Sequence, residues 1–101
     1  MHATRTKIGQ KTHDEKLIQR VKENQKLGLK VTADLPGMDK PKPINGMIPD
    51  LVALKYGKIR KIEEVETKAT LILDKDQHKD FKNKAQELGA VYKTIIAKRK
   101  K

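Results

Sequence analysis

The chain of 101 residues has no cysteine, no serine and no tryptophan, and aromatic residues make up only 3% of it. Without cysteine it forms neither disulfides nor cysteine-ligated zinc sites, and without serine it has no serine nucleophile. There is also no long apolar run, so the sequence predicts neither a membrane-spanning helix nor a signal peptide. These absences favour a cytoplasmic protein with no membrane partner.

Positive charge is in excess. Lysine and arginine number 24 against 13 aspartates and glutamates, a net charge of +11, and the lysines are spread along the whole chain. Such a balance favours a polyanionic partner, DNA in particular, over a lysine-rich surface that is merely well solvated. Since only 36% of residues are hydrophobic, the core is expected to be thin, and we expect a homodimer interface to add burial.

Hydrophobic periodicity predicts one domain at residues 12–97, between a flexible arm at 1–11 and a basic tail at 98–101. The first helix is predicted from about His13 to Leu27, with Thr12 and Glu15 as a capping box. The other elements are predicted as a strand at 29–33, a loop at 34–46, hairpin strands at 48–55 and 58–67, a helix at 75–88 and a strand at 91–97.

Acidic residues gather at one end of the predicted hairpin. Asp50 stands in an otherwise apolar strand, where an unpaired carboxylate is costly, and Glu64 and Glu66 point to one face of the partner strand. A three-residue hairpin loop would set Asp50 opposite Glu64, whereas a two-residue loop would set it opposite Glu63. In either register a divalent cation bridging the carboxylates explains the cluster.

The competing interpretation is an exposed acidic strand edge. In that case the three glutamates would be neutralised by the neighbouring cations Arg60, Lys61 and Lys68. The position of Asp50 argues against it. His13 and His78 lie in charged helical stretches and are predicted to be exposed, so no histidine zinc site is expected.

Three motifs in succession resemble those of the PD-(D/E)xK nuclease superfamily. They are Gly46-x-x-Pro49-Asp50, Glu64-Val65-Glu66 and Gln77 on the next helix. The greatest likeness is to virus-type replication-repair nuclease (VRR-NUC) domains, followed by archaeal Holliday junction resolvases, and it spans residues 12–96. The resemblance implies an α/β (α+β), restriction-endonuclease-like αβββαβ core with a central mixed sheet flanked by helices.

The resemblance also implies roles for individual residues. Asp50 and Glu64 would bind Mg²⁺ or Mn²⁺, and Gln77 would support the site from its helix. An acidic residue of the first helix often contributes, and Glu15 is the first candidate, followed by Glu23. These matches predict a metal-dependent DNA endonuclease, selective for branched or junction structure rather than for sequence.

Glu66 departs from the family pattern, because lysine is usual at that position. Some members carry glutamate there and still cleave, so Glu66 is expected to act as a third metal ligand or as a general base. Lys68, two residues further along, could supply the missing positive charge.

Six lysines are expected to contact the DNA backbone: Lys40, Lys42, Lys75, Lys79, Lys82 and Lys84. Two other functions remain open. A catalytically silent nucleic-acid-binding module would keep the fold without cleavage, and a small basic assembly protein would have no divalent-metal site.

Overall fold

Two helices and four strands follow one another in the predicted order in the computed structural model, which describes residues 7–67 and 75–97. They form an α+β domain with one four-stranded mixed sheet. Lys68, residues 1–6 of the predicted arm and the tail at 98–101 lie outside the described residues. The elements are α1 (Lys7–Lys26), β1 (Lys30–Ala33), β2 (Leu51–Lys55), β3 (Lys58–Glu66), α2 (Lys75–Leu88) and β4 (Val91–Ile96).

The sheet has the strand order β1-β2-β3-β4, with antiparallel pairs except for the parallel pair β3–β4. Because β3 has a neighbour on both sides, it is an interior strand. Its last five residues are all buried. The interpretation of the three glutamates as an exposed strand edge is therefore wrong.

The hairpin between β2 and β3 combines features of both predicted registers. Its turn has two residues, Tyr56 and Gly57, both at positive φ, the conformation that suits a tight hairpin. A bulge at Ala53/Leu54 then shifts the pairing by one residue, so Val52 lies opposite Ile62. If the same pairing is continued two residues beyond Val52 and Ile62, Asp50 lies opposite Glu64.

The first helix begins at Lys7, six residues before the predicted start at His13, so part of the predicted arm is helical. Thr12 and Glu15 therefore lie inside the helix and do not form a capping box. It ends at Lys26, one residue before the predicted Leu27, and Gly28 is the stop as predicted. Gly28 adopts φ +81°, and the amides of Gly28 and Leu29 donate to the carbonyls of Gln25 and Asn24.

The sheet separates two apolar clusters. One lies between α1 and one sheet face, and includes Leu17, Val21, Leu51 and Val65. The other lies under α2 on the opposite face and centres on Phe81. Alternation along β3 therefore sends Glu63 and Val65 towards α1, and Ile62, Glu64 and Glu66 towards α2.

The segment between β1 and β2 contains a structured turn that was not predicted within the loop at 34–46. Ile44 and Met47 exchange two backbone hydrogen bonds of 2.7 and 3.0 Å around Asn45-Gly46. Ile44 is buried against the Phe81 cluster. The segment is thus anchored shortly before it reaches Asp50.

Candidate metal centre

Three carboxylates converge where β2 begins and β3 ends. Asp50 immediately precedes β2, while Glu64 and Glu66 belong to β3. Their exposed fractions are 6%, 0% and 1%, and one oxygen from each lies within 4.8 Å of the others. The structure thus brings together the three residues that the sequence predicted as metal ligands.

Backbone hydrogen bonds hold Asp50 and β3 together reciprocally. The amide of Asp50 donates to Glu64 Oε2 over 2.5 Å, and the amide of Val65 donates to Asp50 Oδ2 over 2.9 Å. The carbonyl of Asp50 accepts a further bond of 2.9 Å from the amide of Asp34. Asp50 is therefore fixed by its backbone and its side chain, although it lies outside a regular strand.

Helix α2 contributes two contacts from its first turn. Gln77 Nε2 donates to Glu64 Oε1 over 2.7 Å, so the structure brings Gln77 to the cluster. His78 Nε2 lies 3.4 Å from Glu66 Oε1, and His78 Nδ1 contacts the hydroxyl of Tyr92 on β4. The side chain of His78 is only 14% exposed, so the prediction of a surface position was wrong.

Helix α1 contributes His13, which is 3% exposed and lies 3.2 Å from Asp50 Oδ2 through Nε2. The prediction that His13 lies on the surface was wrong, because its charged neighbours hide its position on the buried stripe of α1. It precedes Leu17 by four residues and Val21 by eight, which is the spacing of one helical face. That spacing in the sequence could have indicated that His13 is buried.

Glu15, the first-helix candidate, is exposed, and the structure does not bring it into the carboxylate cluster. It lies two residues from His13, and residues at that spacing point to different sides of a helix. Helix α1 thus presents an imidazole to the cluster where the resemblance implied a carboxylate.

Burial raises the pKa of the Glu64 carboxyl well above its ordinary value, and the charges of Asp50 and Glu66 raise it further. The hydrogen bonds from Asp50 and Gln77 oppose this shift without cancelling it. A buried group whose charged form is so disfavoured gains from a nearby cation. The electrostatics of the cluster are therefore those of an incompletely compensated anionic site.

Glu63 has the opposite environment on the other sheet face. Burial alone would raise the pKa of its carboxyl, but hydrogen bonds from Arg20 and Asn24 outweigh that effect and lower it. Arg20 binds both oxygens, at 2.7 and 3.0 Å, and Lys61 lies 3.6 Å away. Glu63 is therefore neutralised by the protein itself.

The predicted DNA-binding lysines fall on two parts of the surface. Lys79 and Lys82 are exposed on α2. Lys40 and Lys42 are exposed beside a groove of about 400 Å³ whose floor includes Val52, Leu54 and Ile59. Lys84, a further predicted contact on α2, also lines this groove. The side chain of Lys75, like Lys68, lies outside the described part of the chain.

The donor set fits a hard divalent cation. Carboxylate oxygens are the ligands that Mg²⁺ and Mn²⁺ prefer, and the burial of these three makes their compensation valuable. The cluster consists of carboxylates only, without a histidine among the three candidate ligands. The residues present are thus suited to Mg²⁺ or Mn²⁺.

No protein-family model, curated protein or solved structure gives a significant match to this chain. No helix within residues 7–67 and 75–97 is long and apolar enough to cross a membrane.

Proposed function

We propose that this protein is a Mg²⁺- or Mn²⁺-dependent DNA phosphodiesterase, an endonuclease with a restriction-endonuclease-like core. The observation that supports this most strongly is the convergence of Asp50, Glu64 and Glu66, which are buried with one oxygen each within 4.8 Å. A chain of net charge +11 that nevertheless buries three acidic groups together has a site that favours a cation. The resemblance to PD-(D/E)xK nucleases supports the same assignment.

Each carboxylate has its own part in this proposal. Asp50 and Glu64 would hold the cation, and the hydrogen bonds from backbone amides to their carboxylates keep the two ligands in fixed relation. Glu66, with His78 beside it, would serve as the third ligand or as the base that accepts a proton from water. Gln77 orients Glu64. The bound cation would make a water molecule more nucleophilic and neutralise charge on the phosphate.

The basic surface supplies the affinity for DNA. Lys40, Lys42, Lys79 and Lys82 are exposed, and long flexible cations of this kind hold phosphates without reading bases. We therefore propose cleavage that depends on DNA structure, with branched or junction DNA as the preferred class. A homodimer would present two such sites to two strands.

The test is a cleavage assay on matched branched and linear DNA with Mg²⁺ or Mn²⁺. Wild type is expected to give metal-dependent products, Asp50→Asn is expected to give none, and Glu87→Gln is the control. Glu87 is a suitable control because it is 69% exposed. Equal cleavage by wild type and Asp50→Asn would refute the assignment.

Glu66 favours a second candidate, a catalytically silent DNA-binding module. The resemblance implies lysine at this position. With glutamate in its place, the site lacks the ammonium group that would contact the phosphate. A silent module would bind DNA with a salt dependence unchanged by divalent metal and would give no products. Gain of cleavage in Glu66→Lys, with none in wild type, would identify this second function.

A further inference from the structure

Helix α1 contacts the carboxylate cluster through one buried side chain, His13. Its Nε2 lies 3.2 Å from Asp50 Oδ2 and its Nδ1 lies 3.0 Å from Asp14 Oδ1. Asp14 is 38% exposed, so the imidazole spans the distance between a surface carboxylate and a buried one. The mechanism proposed above gives no role to this residue.

The hydrogen bonds to Asp50 are unevenly divided between its two oxygens. Oδ2 faces both His13 Nε2 and the amide of Val65, at 3.2 and 2.9 Å. Within residues 7–67 and 75–97, no group donates to Oδ1. A carboxylate that is held at one oxygen presents its other oxygen in a defined direction. Groups that hydrogen-bond to metal ligands orient them in this way.

We infer that His13 is a positioning residue, which holds Asp50 by Oδ2 and thereby presents Oδ1 to the divalent cation. This inference rests on the proposed function, because it assigns His13 a role at the same metal site. His13 is not assigned as a ligand, because it does not belong to the group of side chains whose ligand atoms all lie within 4.8 Å of one another. It acts through Asp50 and has no contact with the reacting phosphate.

The position of His13 is fixed by the packing of α1. Two turns along the same face, Arg20 binds both oxygens of the buried Glu63, and Asn24 donates to Glu63 over 2.9 Å. Between these contacts Leu17 is completely buried. The imidazole is therefore carried on a helix anchored to β3 by an ion pair, which suits a group that must hold its geometry.

A purely structural role for His13 would make a different prediction. A buried histidine–aspartate contact could serve only to dock α1, in which case its loss would lower stability but leave metal affinity unchanged in the folded protein. Two polar substitutions separate these roles. In His13→Gln the amide reaches about where Nε2 stands, whereas in His13→Asn it reaches only about where Nδ1 stands.

The experiment is calorimetric titration with Mn²⁺ of the full chain: wild type, both variants and Leu17→Ala, at a temperature where each is folded. We expect His13→Asn to bind Mn²⁺ about 10- to 100-fold more weakly than wild type, the usual effect of losing a group that orients a ligand. His13→Gln should retain an affinity closer to that of wild type. Leu17→Ala should lose stability and keep its affinity.

The results that would overturn the inference are distinct from those that would overturn the proposed function. Wild-type affinity in His13→Asn, or an equal loss in Leu17→Ala, would show that His13 is only structural while the metal site stands. If either His13 variant fails to fold, the other is compared with wild type against the same expectation. Absence of Mn²⁺ binding by wild type would refute the metal site and the role of His13 together.

Discussion

Replacing Glu64 by glutamine measures what it costs the metal-free fold to hold three carboxylates together. The substitution removes one charge and preserves the shape of the side chain. It can also preserve the hydrogen bonds. The oxygen of the new amide can accept from the Asp50 amide. Its nitrogen can donate to Gln77 Oε1 if the Gln77 amide turns over, because this oxygen is buried and has no hydrogen-bond partner among residues 7–67 and 75–97.

The expected size of the effect follows from the separation of the charges. The three ligand oxygens lie within 4.8 Å of one another. At that distance and an effective dielectric constant of about 20, two unit charges repel by about 3 kcal/mol. Glu64 meets this repulsion from both Asp50 and Glu66, and its protonation in the wild type relieves much of the sum. We therefore expect Glu64→Gln to gain on the order of 3 kcal/mol at pH 8.

The gain should depend on pH in a defined direction. Burial, Asp50 and Glu66 raise the pKa of Glu64 in the folded state, so the folded protein holds this proton more tightly than the unfolded chain. The contribution of Glu64 to the stability of the metal-free wild type must therefore fall as pH rises from the ordinary glutamate pKa through the raised one. Glu64→Gln should match wild type near pH 5 and exceed it near pH 8.

The assay is urea unfolding in EDTA at pH 5, 7 and 8. Glu63→Gln is the matched control, because it makes the same chemical change at the neighbouring buried residue. There the protein supplies Arg20 as a partner and the pKa of Glu63 is lowered, so this variant should be less stable at neutral pH by about 3 kcal/mol. Its deficit should shrink as pH falls. Glu64→Gln variants no more stable than wild type at pH 8 would refute the account of the cluster.

Three other outcomes are expected. Binding of Mn²⁺ should release protons and weaken as pH falls, because the raised pKa of Glu64 makes Mn²⁺ and a proton compete for its carboxylate. Calorimetry in two buffers of different ionisation enthalpy measures the number of protons released, and a value of zero would contradict this expectation. Phe81→Ala should lower the free energy of unfolding in urea by about 3–5 kcal/mol, since Phe81 is fully buried at the centre of the Phe81 cluster. A decrease below about 1 kcal/mol would contradict that packing. Lys42→Gln should reduce the slope of log affinity for DNA against log salt by about 1, whereas an unchanged slope would exclude a phosphate contact.

The sequence was sufficient to predict the order of the elements because hydrophobic periodicity is a local property. The limits of α2 were predicted correctly, and Gly28 correctly marked the end of α1. The start of α1 was wrong because the polar residues from Lys7 onward show no apolar stripe, and Thr12 with Glu15 imitates a cap. Helix starts without a buried face carry little sequence signal.

The hairpin register required information that the sequence did not contain. Tyr56-Gly57 indicated a two-residue turn, and the turn alone would have set Asp50 opposite Glu63. The bulge at Ala53/Leu54 restores the pairing that brings Asp50 towards Glu64. A bulge in an aliphatic strand depends on the packing of both faces, and no residue in Leu51–Lys55 marks it.

Prediction of the candidate site was most successful for groups whose types are unusual at their positions. Asp50 in an apolar segment and the repeated glutamates of β3 were conspicuous, and Gln77 followed from the family resemblance. His13 was missed because its neighbours are charged and its contact with Asp50 joins residues 37 positions apart. Glu64 was chosen over Glu63 from the family resemblance, because strand spacing alone left both opposite Asp50. Only the three-dimensional fold shows that Arg20 lies beside Glu63 and Gln77 beside Glu64.

The proposed function requires that Asp50, Glu64 and Glu66 bind a divalent metal ion. Anomalous diffraction from crystals soaked in Mn²⁺ tests this requirement because it locates the ion. We predict a Mn²⁺ peak with carboxylate oxygens of Asp50 and Glu64 at about 2.0–2.2 Å, the distance expected for a small hard cation. A fully exchanged crystal with no peak there, or with Mn²⁺ bound only at exposed carboxylates, would contradict the account.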